Sequence, residues 1–324
     1  MSDWRPSAPR AALELRAGLY RTIRAFFDTR GVLEVETPVL SAFGSTDPNI
    51  ESFRTTFSGS VAAGERGRWL RTSPEYPLKR LVAAGYGDCY ELGRVFRNGE
   101  TGRRHNPEFT MLEWYRVGWD HRRLMDEVAE LVLAALALVG RRVPVRRSSY
   151  RELFLERAGV DPFAASEGEL HDAVSDFGIC TDGLSRDDWL QLVLTHRVEP
   201  TLSAEELLLV YDFPPSQCAL ARIRHAPAPA VAERFEAYLG PIELANGYHE
   251  LADAEEQSLR FASDVLRRRA RGAAEPEADP RLIEAMEAGL PDCAGVALGV
   301  DRLLMAMQGA GGIDEVVAFP FART

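Results

Sequence analysis

The sequence predicts an α+β fold: an antiparallel β-sheet flanked by helices. Two observations carry that expectation. Strand-like segments at residues 90–96 and 109–116, and again at 207–213, 217–223 and 231–239, are joined by hairpin-length connections rather than crossover helices, the pattern of antiparallel pairing. Segments with helical periodicity stand before, between and after these runs. In a chain of 324 residues, a hydrophobic content of 46% supplies a sizeable core.

The elements follow in order. Residues 11–27 place Leu15, Leu19, Ile23 and the pair Phe26/Phe27 at helical spacing, and Gly31 can end that helix. Short strands are expected at 33–36 and 69–71. Residues 74–84 read as a helix, with Pro74 tolerated at its start because N–H groups of the first turn lack intrahelical partners. Strands 90–96 and 109–116 are the arms of a hairpin. A helix over 121–139 aligns Leu124, Val128, Leu131 and Ala135. Ser166 and Glu169 form a capping box that opens a helix over 166–177, and 187–196 reads as another helix. Residues 141–202 are therefore expected to be a helical insertion. Strands at 207–213, 217–223 and 231–239 come next, then a long amphipathic helix over 253–271 and a polar, Pro-containing loop over 273–280. Residues 293–299 read as a strand entering a helix at Val300. The chain has no internal repeat and no low-complexity tail.

Composition narrows the function. Basic residues number 38 and acidic residues 49, a net charge of −11. Nucleic-acid binding calls for a basic surface. Only RRVPVRR at 141–147 is locally basic, so tRNA is not expected as a partner, whereas a cationic substrate held by carboxylates is. No apolar run reaches the ~18 residues a membrane helix needs. The first ten residues carry no apolar signal segment, and a cytoplasmic location without membrane contact is expected. Cys89, Cys180, Cys218 and Cys293 lie far apart without a C-x-x-C spacing. They read as reduced, mostly buried thiols with no zinc motif.

The chemistry concentrates in residues 90–116, YELGRVFRNGETGRRHNPEFTMLEWYR. Arg97, Arg103, Arg104 and His105 stand near Glu91, Glu100, Glu108 and Glu113, threaded with Phe109, Trp114 and Tyr115. Guanidinium forks bind polyanions, aromatic faces stack on purines and carboxylates hold ammonium groups. A solvated hairpin of mixed charge has a similar composition. Against that reading, the charges cluster at the expected turn and an apolar, aromatic strand follows at once.

Within this stretch, FRNGETGRRHNPEFTMLEWY (96–115) resembles motif 2 of the class II aminoacyl-tRNA synthetases in its lysine-type version. GVLEVETPVL (31–40), with Pro38, is similar to motif 1. GVALGVDRLLM (295–305), with Gly299, Asp301 and Arg302, is similar to motif 3. TSPEYPLKRL (72–81) and IELANGYHEL (242–251) match between them. The blocks run in the family's order from about residue 30 to residue 302, most of the chain. Motif 1 follows a single helix, leaving no room for the N-terminal anticodon-binding barrel of on the order of 100 residues. The chain is therefore most similar to the shortened paralogues of lysyl-tRNA synthetase, the elongation factor P–(R)-β-lysine ligases. The resemblance implies one class II catalytic domain over 1–324, with the insertion at 141–202 and no anticodon-binding domain. It also implies a homodimer formed through motif 1, ATP and Mg2+ as cofactors, (R)-β-lysine as substrate and elongation factor P as acceptor.

The implied reaction is adenylation of a carboxylate at the α-phosphorus of ATP, followed by acyl transfer to an amine. By resemblance, Arg97 meets the α-phosphate and Arg302 the γ-phosphate. Asn98, Gly99, Glu100, His105, Asn106, Glu243, Leu244 and Gly299 surround ATP, and Phe109 stacks on adenine. Glu236 and Glu243 hold magnesium. Glu250 receives the distal ammonium with help from Tyr115, while Ser73, Pro74, Glu75, Glu113 and Ala297 line the amino-acid pocket. Glu236 and Glu243 are seven apart, which on one strand gives opposite faces. Gly240-Pro241 breaks the strand, so two hairpin arms can present both to one side. Asn246-Gly247 can supply the bulge or turn that brings Glu250 back inward. Two positions depart from the family. Gly99 stands where a glutamate is expected, with Glu100 next, and Ala297 stands where lysyl-tRNA synthetases carry glycine. The added methyl narrows the pocket, a basis for choosing β-lysine over α-lysine. A free-standing lysine-activating enzyme acting on tRNA or a small amine, and a non-catalytic regulatory paralogue, are the alternatives at this point.

Overall fold

The computed structural model describes residues 4–60, 62, 64, 66–179 and 183–324. Its elements begin with α1 (Arg10–Asp28), β1 (Leu33–Glu34), β2 (Leu40–Ser41), β3 (Arg54–Thr56), β4 (Gly67–Leu70), α2 (Glu75–Ala83), β5 (Cys89–Phe96) and β6 (Glu108–Val117). There follow α3 (His121–Ala137), β7 (Val145–Ser149), α4 (Tyr150–Ala158), α5 (Glu167–Asp172), α6 (Arg186–Val193), β8 (Leu207–Phe213), β9 (Ile223–Arg224), β10 (Val231–Leu239) and β11 (Ile242–His249). The last are α7 (Ala254–Ala270), α8 (Pro280–Gly289), β12 (Cys293–Gly299) and α9 (Val300–Gln308). Two compact units result: the first runs to Gly118 and resumes at Ala252–Thr324, the second is Trp119–Leu251. Among the described residues, no helix is long and apolar enough to cross a membrane.

In the first unit, β1, β5, β6 and β12 lie side by side, antiparallel except for the parallel β1–β5 pair. Side chains alternate between sheet faces, and residues directly opposite one another share a face. Tyr90, Leu92, Leu112, Trp114, Val296 and Leu298 therefore point one way. Helix α1 covers this side: Phe27 stacks on Tyr90 at 4.4 Å and meets Trp114 edge-on at 5.4 Å between ring centroids. Of the stripe read from periodicity, Leu19, Ile23 and Phe27 are wholly buried, Phe26 is buried and Leu15 is half-buried. Asp301, in the first turn of α9, accepts from the Thr110 amide at 2.7 Å and pairs with Arg16 of α1. One buried carboxylate thus ties α1, β6 and α9 together. The small sheet β2–β4–β3 completes the strands of this unit.

In the second unit the strand order is β11–β10–β8–β7, with β9 beside β10. Tyr150, Phe154, Trp189, Leu190, Phe213 and Tyr238 form its core. Serine capping boxes open three helices, at Ser149/Glu152, Ser166/Glu169 and Ser185/Asp188. The insertion is thus not purely helical: β7 runs parallel to β8 as an outer strand. The RRVPVRR run hides it, because Arg146 and Arg147 send their charged ends outward to Glu156 and Asp126.

Other departures have local causes. Residues 217–223 do not form a strand. Pro214 and Pro215 open a 3-10 turn, and Ala219 takes φ +48, leaving only Ile223–Arg224 to pair with β10. Helix α8 starts at Pro280, capped by Asp279, at the end of the segment read as loop. Cys89 and Cys293 are buried thiols and Cys218 is half-buried; Cys180 lies outside the described residues.

Replacing Phe27 with Ala should cost about 3–5 kcal/mol of unfolding free energy, read from the urea midpoint. A loss below about 1 kcal/mol would show that the aromatic cluster does not anchor α1 to the sheet.

Candidate active site

The other face of the first unit's sheet carries Glu91, Gly93 and Val95 on β5, Phe109, Met111, Glu113 and Tyr115 on β6, and Gly295, Ala297 and Gly299 on β12. Four of these are glycine or alanine, so few side chains of the sheet stand beside the polar ones. Glu113 is buried. Its carboxylate accepts from Ser73 Oγ at 2.7 Å and from Tyr115 OH at 3.0 Å. Ser73 Oγ in turn accepts from the Glu75 amide at 2.9 Å, fixing the entry to α2, whose N-cap is Pro74. Glu75 pairs with Lys79 one turn on, at 2.7 Å. Ala297 lies directly opposite Glu113, so its methyl group projects on the same face as that carboxylate. Of the residues expected in one amino-acid pocket, Ser73 and Tyr115 bond to Glu113, the Glu75 amide bonds to Ser73, and Ala297 lies opposite Glu113.

Gly93 has a specific task here. A Cβ at that position would stand 2.5 Å from the Arg71 guanidinium. Arg71, buried, crosses the face to Glu91 at 2.6 Å and donates to the Arg94 and Thr37 carbonyl oxygens. The Thr37 hydroxyl donates to Glu91 at 2.7 Å, so residues beside Pro38 are fastened to the same sheet.

The connection between β5 and β6 holds most of the expected ATP residues. Arg97 lies 5.2 Å from the centroid of the Phe109 ring and 3.6 Å from Glu100. Its amide donates to the Pro107 carbonyl, and the Asn98 amide to Glu51. Glu51 is held by Arg268 of α7, a wholly buried side chain that also donates to the Asp47 and Ile50 carbonyl oxygens. Gly99 has φ +80, the left-handed region that disfavours side chains. Glu100, the next residue, lies within ion-pair distance of Arg97. His105 Nε2 lies 2.7 Å from an Arg302 guanidinium nitrogen, which joins the motif 2 and motif 3 residues. Asn106 accepts from the Phe321 amide at 2.8 Å and donates to the Glu108 carbonyl. Gly299, the N-cap of α9, sits opposite Met111.

In the second unit, β10 and β11 form the hairpin anticipated at Gly240-Pro241. Glu243 faces Tyr238 directly, and Tyr238 shares its face with Glu236, so both glutamates lie on one side. The bulge comes two residues earlier than the sequence suggested. Pairing shifts from Tyr238↔Glu243 to Ala237↔Ala245, which makes buried Leu244, not Asn246-Gly247, the extra residue. Beyond it the alternation is reversed, and Asn246, Tyr248 and then Glu250 return to the face of Glu236. Glu236 is buried. Arg234 approaches it at 2.5 Å and the Tyr238 hydroxyl donates to it. Burial raises its pKa, Arg234 opposes the rise, and the charge of Glu243 adds to it. Two neighbouring carboxylates, one reluctant to ionise, are a donor set that suits a hard divalent cation.

Arg71, Lys79, Arg234 and Tyr238 were not anticipated. A single arginine or lysine gives no periodic signal, though buried glutamates demand such partners.

The family described as tRNA synthetases class II (D, K and N) matches residues 1–323. Curated relatives cover nearly the whole chain. An elongation factor P–(R)-β-lysine ligase of Vibrio cholerae is 49% identical, over 99% of this chain and 99% of its own length. A protein of the same name from Mannheimia succiniciproducens is 47% identical, over 98% and 97%. Another from Yersinia enterocolitica is 47% identical, over 99% and 98%.

Gly93→Ala should destabilise the fold by about 1–3 kcal/mol, because the methyl group displaces a buried guanidinium. Thermal unfolding of this variant beside Gly18→Ala, a position within α1 whose Cβ would come no closer than 3.8 Å to Arg21, checks the assignment. An undisturbed Gly93→Ala protein would overturn it.

Proposed function

We propose that this chain, which belongs to the class II tRNA synthetases of the D, K and N type, is an ATP-dependent ligase that adenylates (R)-β-lysine and transfers it to a lysine side chain of elongation factor P. The observation that carries the reading is the carboxylate-bearing face built from Ser73, Glu75, Glu113 and Tyr115 beside the loop bearing Arg97. Such a face suits the amino groups of a diamino acid, and the arginine suits a polyphosphate. The names of the curated relatives supply the substrate and the acceptor.

In this reading the substrate carboxylate attacks the α-phosphorus and pyrophosphate leaves. The acceptor amine then attacks the acyl carbon and AMP leaves. Arg97 holds α-phosphate oxygens with its fork, and Phe109 and the guanidinium pack around adenine. Arg302 takes the γ-phosphate from the first turn of α9, where free amides also favour an anion. Positioning and charge neutralisation supply most of the acceleration, since the phosphoryl chemistry needs no protein nucleophile. Asn98, Gly99, Glu100, His105, Asn106, Leu244 and Gly299 line the nucleotide. Glu113 and Glu75 hold one amino group, Glu250 the other. Magnesium would be held by Glu236 and Glu243, where it would neutralise phosphate charge. Ala297, beside Glu113, trims the pocket and favours β-lysine over α-lysine. A homodimer through residues 31–40 fits the exposure of Leu33 and Leu40. A cytoplasmic location and a single catalytic domain belong to the same proposal.

Pyrophosphate exchange measured with (R)-β-lysine and α-lysine side by side tests this. Exchange should favour (R)-β-lysine, and labelled substrate should pass to elongation factor P. Arg97→Ala and Arg302→Ala should each lower kcat/KM at least about 100-fold, close to 3 kcal/mol of transition-state stabilisation. Ala297→Gly should shrink the preference by about tenfold. Exchange with α-lysine alone would sink the proposal.

A further inference from the structure

The second unit buries a cluster that adenylation does not use. His121 opens α3, Glu233 lies on β10 and His249 ends β11; all three are buried. Each can present one ligand atom so that the three lie within 4.8 Å of one another. His249 Nδ1 stands 2.7 Å from Glu233 Oε2, and the two imidazole rings are nearly parallel with centroids 6.4 Å apart. Neither nitrogen of His121 makes a hydrogen bond, although the ring is buried. Its Nε2 is 3.4 Å from Asp212 Oδ1, an oxygen likewise without a hydrogen bond. A buried imidazole left so is costly unless another ligand satisfies it. Asp212 itself takes φ +59 within β8, a backbone state rare in strands.

We propose that His121, Glu233 and His249 form a divalent-cation site of the zinc type, with Asp212 as the outer carboxylate that orients the His121 ring. Two imidazoles and one carboxylate are a zinc donor set, and a carboxylate on the second ring nitrogen fixes the tautomer that binds. Tetrahedral bonds of ~2.0–2.2 Å place donors on the order of 3.4 Å apart, between the 2.7 Å of the His249–Glu233 pair and the full span of the cluster. Arginines compete for the same acids. Arg222 and Arg224 approach Glu233 at 3.5 and 3.2 Å, and Arg122 and Arg224 approach Asp212 at 2.9 and 2.8 Å. Arg122 and Arg222 are half exposed and can turn to solvent. A cation here would staple α3 to β10 and β11. Glu233 precedes Glu236 by three residues, and His249 precedes Glu250 by one, so the staple would hold the strands that carry those carboxylates.

The test uses the full-length, untagged protein, stripped with chelator and dialysed against zinc. Elemental analysis should give one zinc per chain, and cobalt substitution should give visible absorption of low-symmetry type. His121→Gln and Glu233→Gln should weaken zinc binding at least about tenfold in chelator competition, and Asp212→Asn by about tenfold. Glu243→Gln should leave it unchanged, which separates this site from the magnesium carboxylates. Zinc should raise the thermal midpoint of the wild type and not that of Glu233→Gln. Wild-type protein that retains no zinc at micromolar free metal, or binding unaltered by both ligand variants, would overturn the proposal in favour of a metal-free ion-pair network. The wild-type measurement decides even if a variant fails to fold.

Discussion

A buried carboxylate on a β-sheet face constrains much of the first unit. Glu113 sits among strands whose opposite face is apolar, and a charge placed there must be hydrogen-bonded or paired. Ser73 and Tyr115 meet it from two directions, one from the entry to α2 and one from its own strand. That choice has consequences. Ser73 must be fixed, which the Glu75 amide does. The neighbouring strand positions must be small, as Gly295, Ala297 and Gly299 are, or the carboxylate would be walled off. The aromatic packing of Phe27, Tyr90 and Trp114 on the far side keeps β5 and β6 flat against α1. The polar face therefore depends on an apolar contact it never touches.

The same rule governs the second unit with different parts. Glu236 is buried beside Arg234 and Tyr238, its neighbours two residues away on one strand face. Glu243 joins them because the hairpin turns at Gly240, and Glu250 because a bulge at Leu244 reverses the alternation. Placing three glutamates seven residues apart on one side of a two-stranded ribbon takes both devices. Regular pairing alone would lose one of them.

Much of this was legible in the sequence. The apolar stripe of α1, the two arms around residues 97–108, the capping box at Ser166/Glu169 and the strand 293–299 are local patterns, and they appear where expected. That Ser73, Glu75, Glu113 and Tyr115 belong together was legible through their setting in long matching blocks, and they form one hydrogen-bonded group. What escaped depends on distant partners. Strand β7 is short and arginine-rich, and only its pairing with β8 makes it a strand. Arg71 looks like any surface arginine until Gly93 is found clearing its path. The cluster of His121, Glu233 and His249 draws on positions 121, 233 and 249, which share no motif and meet only through the pairing of β10 with β11 and the packing of α3.

Gly99 shows how a departure from a family pattern can keep its chemistry. A glutamate at that position would have to occupy φ +80, at a cost of about 1–2 kcal/mol for a residue with a side chain. Glycine removes the cost and tightens the turn. The carboxylate moves one residue on, to Glu100, where it stands 3.6 Å from Arg97. Charge near the arginine is kept while its carrier changes. Under the proposed function, the loop would therefore still present an arginine and a carboxylate 3.6 Å apart to the nucleotide, although the glutamate is not at position 99.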